Sequence, residues 1–278
     1  AAEEGLVLSF SGMSMYRRCP YSYYLRYVEK HPLRLSPPLV YGTALHLCVE
    51  EVVQLLLQGK DPSRRELWDM LLRSWDPKDV TFASGEEDHM LHEAFHGLEM
   101  FAGALRRREG PHWAFPWSPR AAEGKHYATR VPKLLEHEFT VELREDFSLR
   151  GTFDRVDVFE APSTSPLAHW GGRHVLVEYK SRLRRRDPQR LVQGHLQLQV
   201  YALAHHRLFG ELPLFTELEA IETGLRGTRE ATGDDVSRAE AALFDAAHGI
   251  QGGEFEPQPS RATCSACSVR EACAYRKS

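Results

Sequence analysis

The chain has 278 residues, 42% of them hydrophobic and 27% charged, with a formal net charge of -4, which is ordinary globular usage and enough to bury a sizeable core. No run approaches the roughly 18 apolar residues of a membrane span, and Ala1-Ala2-Glu3-Glu4 offers neither the basic flank nor the apolar core of a secretion signal. A folded, cytoplasmic protein with no membrane association is therefore expected.

Residues 9–28 carry Tyr16, Tyr23, Tyr24 and Tyr27 at mixed three and four spacing, which predicts two short helices either side of Cys19-Pro20. In 41–58, Leu45, Val49, Val52, Val53 and Leu56 share one side of a helix ended by Gly59 and Pro62. Residues 64–75 and 86–109 read as further helices. The second closes on Arg106-Arg107-Arg108, a charge that suits a helix C-terminus. The span 111–132, rich in Pro, Trp and small residues, reads as a connector, so 60–130 forms a helical insert and its link to the strand-rich half of the chain.

The texture then changes to strands over 134–143, 147–159 and 174–180, with a Pro/Ser/Gly-rich loop at 161–172. A helix over 189–208, a strand over 214–223 and a helix over 235–249 complete an α/β pattern, a mixed sheet with helices on it.

An acidic net charge does not point to nucleic acid, but the distribution matters more than the sum. Arg182, Arg184, Arg185 and Arg186 form one run, Arg106 to Arg108 a second, and Arg17, Arg18 and Arg26 lie near the start. Any one run is equally explained as a solvated face.

Glu178-Tyr179-Lys180 ends the strand that begins Val175-Leu176-Val177. Strand alternation puts Glu178 and Lys180 on one face and Val177 and Tyr179 on the other, holding an acid beside an amine. Asp154, in Gly151-Thr152-Phe153-Asp154-Arg155-Val156-Asp157-Val158, shares its face with Val156 and Val158. A carboxylate at that apolar edge calls for a compensating cation. Two carboxylates on adjacent strands supply the hard oxygen ligands that Mg²⁺ or Mn²⁺ prefer, with Asp157 open as a substitute for Asp154.

Asp followed about two dozen residues later by Glu-x-Lys resembles the PD-(D/E)XK nuclease motif, and the rest of the chain is similar to its RecB-like members. Gly42-Thr43-Ala44-Leu45-His46 resembles the upstream helix motif whose His contributes to the metal site. Gln197-Leu198-Gln199-Val200-Tyr201 resembles the Gln-x-x-x-Tyr motif after the catalytic strand, with Gln197 and Tyr201 on one helix face and Gln193 and His205 extending the stripe.

The five cysteines are an odd, low number that argues against a disulfide scaffold and for a metal site. Cys264-x2-Cys267-x5-Cys273 at one end and Cys19 at the other resemble the iron–sulfur subgroup of RecB-like nucleases, which includes AddB-type helicase-nucleases and CRISPR adaptation nucleases. That resemblance implies a 4Fe-4S cluster on Cys19, Cys264, Cys267 and Cys273, with zinc as the alternative. Cys48 is left over as a core residue.

The implied fold is a restriction-endonuclease-like core of a mixed sheet flanked by helices. It would be one nuclease domain over 1–278, with its catalytic core at 131–225 and its termini, 9–28 and 260–278, joined by the metal cluster. The implied activity is Mg²⁺- or Mn²⁺-dependent hydrolysis of DNA, single-stranded or at free ends, in repair, recombination or defence. His46, Asp154 and Glu178 would hold metal, Lys180 would act on the attacking water, and Gln197 and Tyr201 would position the strand. The arginines after Lys180 are candidates for phosphate contacts, and Tyr21, Tyr23, Tyr24, Trp113 and Trp117 either stack on bases or fill the core. A non-cleaving DNA-binding module of a helicase or recombination complex is the alternative.

Overall fold

The computed structural model describes residues 5–277 except 34, 111, 125, 126, 182, 184 and 185. The chain opens with strand β1 (Leu6–Ser9), helix α1 (Phe10–Arg18), helix α2 (Pro20–Tyr23) and a π-helical turn over Tyr24–Val28. Ser9 caps α1 by accepting from the Gly12 N–H, and Pro20 starts α2, where its missing N–H costs nothing. The predicted pair of helices around Cys19-Pro20 is therefore present, and β1 is an addition that four residues could not announce.

Helices α3 (Pro37–Leu57), α4 (Arg64–Ser74) and α5 (Glu86–Arg106) follow. Ser63 and Glu66 form a reciprocal capping box at the start of α4. By length and a mean hydropathy of 1.3, α3 alone among the described helices could cross a membrane. Its Val49, Val52, Val53 and Leu56 are instead packed in a core with Leu67 and Leu71 of α4 and Leu98 and Phe101 of α5.

The connector is more ordered than its composition suggested, holding strand β2 (Trp113–Ala114) and helix α6 (Pro119–Ala122). The long hairpin of β3 (Ala128–Arg144) and β4 (Phe147–Glu160) leads to β5 (His174–Lys180). The predicted helix over 189–208 is divided into α7 (Pro188–Leu191), a 3-10 turn over Val192–Gly194 and α8 (Leu196–Phe209). Strands β6 (Phe215–Ala220) and β7 (Arg226–Glu230), then α9 (Gly233–Gln251) and α10 (Arg261–Ser265), end the chain.

The strands form one mixed sheet in the order β2-β3-β4-β5-β6-β7, with β1 also paired to β4. Pairs β5/β6, β1/β4 and β2/β3 are parallel, the rest antiparallel. Helices cover both faces. Val175, Val177 and Tyr179 of β5 join the core under α3, α4 and α5, while Leu176 of β5 and Val156 of β4 join a second core with α1, α8 and α9. The insert thus serves first to bury one face of the sheet.

One edge of β4 changes partner. β1 pairs it at 147–150 and β5 at 155–158, on the side away from β3, so 151–154 has no strand beside it there. The notch arises because the chain turns into α1 straight after Ser9 and the β4–β5 pairing stops at Arg155 and Val177, beyond which the Tyr179 N–H is taken by the Asp154 side chain. Side chains from both helical layers reach it.

Candidate metal centre

Asp154 lies in this notch, buried, with its Oδ2 accepting the Tyr179 N–H at 2.7 Å. His46 enters from α3, its Nδ1 4.0 Å from the same oxygen and its ring edge-on to Tyr179. Glu136 enters from β3, directly across from Asp154. Potential ligand atoms of His46, Glu136 and Asp154 all lie within 4.8 Å of one another, the one such set of three among the described residues.

Glu136 is the residue that sequence reasoning missed. Its φ of 43° puts a non-glycine residue in the left-handed region, which costs on the order of 1–3 kcal/mol and survives only where the surroundings impose it. The paired residues run Leu135 with Arg155, then His137 with Phe153. Nothing in Leu135-Glu136-His137 marks this conformation, since the segment lacks the Gly or Asn that usually signals a left-handed residue.

Glu178 is 2% exposed. Its Oε1 accepts from Lys180 Nζ at 2.5 Å, and its Oε2 is buried without a hydrogen-bond partner among the described residues. An orphaned carboxylate oxygen there is costly unless a cation answers it. Lys180 Nζ also donates to Gln197 Oε1 at 2.8 Å, and Gln197 Nε2 to the Tyr201 hydroxyl at 3.1 Å. The predicted i, i+4 pair on α8 therefore fixes the lysine.

Burial pushes the Asp154 carboxyl up to about 7, with the nearby Glu136 charge adding to the rise and the Tyr179 N–H opposing it. Glu178 is also raised to about 7, by burial and then by Asp154, and Glu136 to about 7, by burial and then by Glu50 and Glu178. Desolvation lowers His46, keeping its ring in the neutral form that ligates metal. Three crowded carboxyls and a neutral imidazole fit a hard divalent cation: oxygen donors dominate, and the charge would relieve the repulsion that raises them.

Other expectations are redirected. Asp157 faces the opposite side of the sheet, where Arg130 Nε at 2.6 Å and Arg155 Nε at 2.8 Å hold it, so it cannot substitute for Asp154. Gln193 lies in the 3-10 turn and bonds the Gln189 carbonyl, and His205 is buried against His174 at 2.7 Å. Neither joins the site: Gln193 precedes the break at which α8 begins, and His205, farther along α8 than Tyr201, is held by His174 and the Glu211 carbonyl. Arg106 pairs with Asp61 and Arg108 is buried on Glu219, so that run is largely structural. Trp113 and Tyr23 are core residues, and Tyr21 stacks on Tyr24 against Tyr275. Arg182, Arg184 and Arg185 lie outside the described residues, and Arg186 is exposed.

From opposite ends of the chain, Cys19 and the trio Cys264, Cys267 and Cys273 line one narrow cavity, together with Leu25 and Pro257. Cys19 Sγ accepts the Gln258 N–H at 3.3 Å, and burial raises the Cys267 thiol. No three of these sulfurs fall within 4.8 Å of one another. Cys48 is fully buried in the α3 core, as expected.

No curated protein matches the chain. Among solved structures, the crystal structure of SSO0001 aligns over 97% of this chain and 100% of its own at 15% identity, with a TM-score of 0.37, a loose likeness. The family model for the PD-(D/E)XK nuclease superfamily matches residues 7–274, a span that holds Glu136, Asp154, Glu178 and Lys180 alike. By that match over nearly its whole length, the chain belongs to the PD-(D/E)XK nuclease superfamily.

Proposed function

We propose that this chain is a Mg²⁺- or Mn²⁺-dependent deoxyribonuclease, an exonuclease acting on single-stranded DNA or DNA ends in repair, recombination or defence. The observation that carries the reading is the meeting of His46, Glu136 and Asp154, with the buried, unpartnered Glu178 Oε2 on the neighbouring strand and a lysine tethered at its tip. When bound, a divalent cation polarises the phosphodiester and offsets the charge of the leaving oxygen.

His46, Asp154, Glu178 and Glu136 would hold that cation. Lys180, clamped between Glu178 and Gln197, presents its ammonium at the place of attack, where it orients water and offsets negative charge in the transition state. Gln197 and Tyr201 restrict Lys180 to that position, and burial keeps the Tyr201 hydroxyl protonated.

The four cysteines hold a 4Fe-4S cluster in this reading. What supports it is that Cys19, Cys264, Cys267 and Cys273, from opposite ends of the chain, line one cavity.

Digestion of end-labelled single-stranded and duplex DNA with Mg²⁺ or Mn²⁺ tests the activity. Asp154→Ala and Lys180→Ala should abolish cutting and leave DNA binding largely intact. Wild-type protein that binds DNA but cuts none with either metal would instead indicate a non-cleaving module of a helicase complex.

A further inference from the structure

The notch in β4 continues into a groove of about 790 Å³. It shares Asp154, Gln197 and Tyr201 with the metal centre and runs past Arg26, Tyr27 and Arg150. Arg150 stands opposite Ser9 at the end of β1, exposed, with no ion pair or hydrogen bond from its side chain among the described residues. Arg26 donates to the His31 carbonyl at 3.1 Å, with its guanidinium 5.8 Å from the Tyr27 ring. No carboxylate among the described residues pairs with it. Glu138 is the one acid lining the groove apart from Asp154.

Tyr27 is 37% exposed, and its ring rests 4.7 Å from that of Tyr23, itself 5% exposed. The π-helical turn that presents Arg26 and Tyr27 is anchored by Leu25, which points into the cysteine cavity. A partly exposed aromatic ring backed by a buried ring offers a base a surface to stack on, and two unneutralised guanidinium groups beside it suit phosphates.

We propose that this groove binds a single strand of DNA leading to the scissile phosphate, with Tyr27 stacked on a base and Arg26 and Arg150 on the backbone. A duplex hides its base faces in its own stack, so the ring selects an unpaired strand. The direction of the strand toward a scissile bond rests on the nuclease reading; the binding itself does not.

Fluorescence anisotropy in EDTA, with labelled oligothymidylate of about 20 nucleotides and a duplex of equal length, separates these possibilities. Tyr27→Ala should weaken single-strand binding roughly tenfold, and Tyr27→Phe should retain it. The double variant Arg26→Ala/Arg150→Ala should reduce the slope of log affinity against log salt by about 1.4, the value for two single-strand phosphates. Duplex binding should hardly change. Unaltered single-strand affinity, equal loss on the duplex, or a Tyr27→Phe as weak as Tyr27→Ala would overturn the proposal.

Mn²⁺-dependent hydrolysis of bis(p-nitrophenyl) phosphate, a diester too small to span the groove, reads the metal centre alone. An inactive wild type with the expected binding pattern would sink the nuclease reading and spare the groove. Full hydrolysis without that binding pattern would do the reverse.

Discussion

Around Asp154 the decisive quantity is the cost of crowding acids. A carboxyl raised from the ordinary range to about 7 binds its proton more tightly folded than unfolded. Its effect is to make the folded state less stable as pH rises from about 4 to 7, fully so above 7. A cation needs these groups ionised and stabilises only the folded form. Mn²⁺ should therefore raise the melting temperature more at pH 8 than at pH 5.5, and an equal rise at both would contradict the shared site. Glu136→Gln should weaken that Mn²⁺-induced rise and lower cleavage by about 10- to 100-fold, a range typical even of groups that only support a ligand. Full Mn²⁺ response in that variant would remove Glu136 from the cation.

Among the elements, the insert acts through β5. Phe101 of α5 meets the Tyr179 ring edge-on at 5.6 Å, beneath the strand that aims Glu178 and Lys180. Phe101→Ala should destabilise the protein by about 3–5 kcal/mol, read from the urea midpoint, with loss of cutting only as the fold is lost. The terminal elements are joined differently. Cys19 follows α1 and Cys264 lies in α10, so a cluster shared between them closes most of the chain into one loop. Cys19→Ser should lower the melting temperature and remove visible absorbance near ~400 nm from anaerobically purified protein. Cys48→Ala should keep that absorbance, and metal analysis giving zinc without iron would replace the cluster with a zinc staple.

For the molecule as a whole, a buried ionic network ties β3, β4 and β6 on the face away from the metal centre. Arg130 bonds Asp157 at 2.6 Å and Glu217 at 3.0 and 3.1 Å, and Arg155 pairs with Asp157 at 2.8 Å and Glu219 at 3.6 Å. Burial alone would raise the Glu217 carboxyl, but Arg130 and Arg226 hold it well below the usual range. Removing one partner leaves a guanidinium uncompensated. Glu217→Ala should cost about 3–5 kcal/mol, and a melting temperature close to wild type would show that water enters to replace it.

Local pattern was enough to place α4, α5, β4, β5 and the Glu178/Lys180 face, since periodicity and strand alternation are properties of neighbouring residues. It also placed Gln197 and Tyr201 on one side of a helix, where they do fasten Lys180. Four residues could not reveal β1, whose pairing lies on β4, and no local signal predicted the break before α8 that separates Gln193 from Gln197 or the His174 contact that holds His205. Asp157 lies with Arg130 and Arg155 while Asp154 lies beside His46 and Glu136, whose φ is in the left-handed region. Both depend on groups distant in sequence. The chain's order of residues carried the chemistry of the site, and only the tertiary structure decided its membership, because ligands are selected by distance and burial rather than by neighbourhood along the backbone.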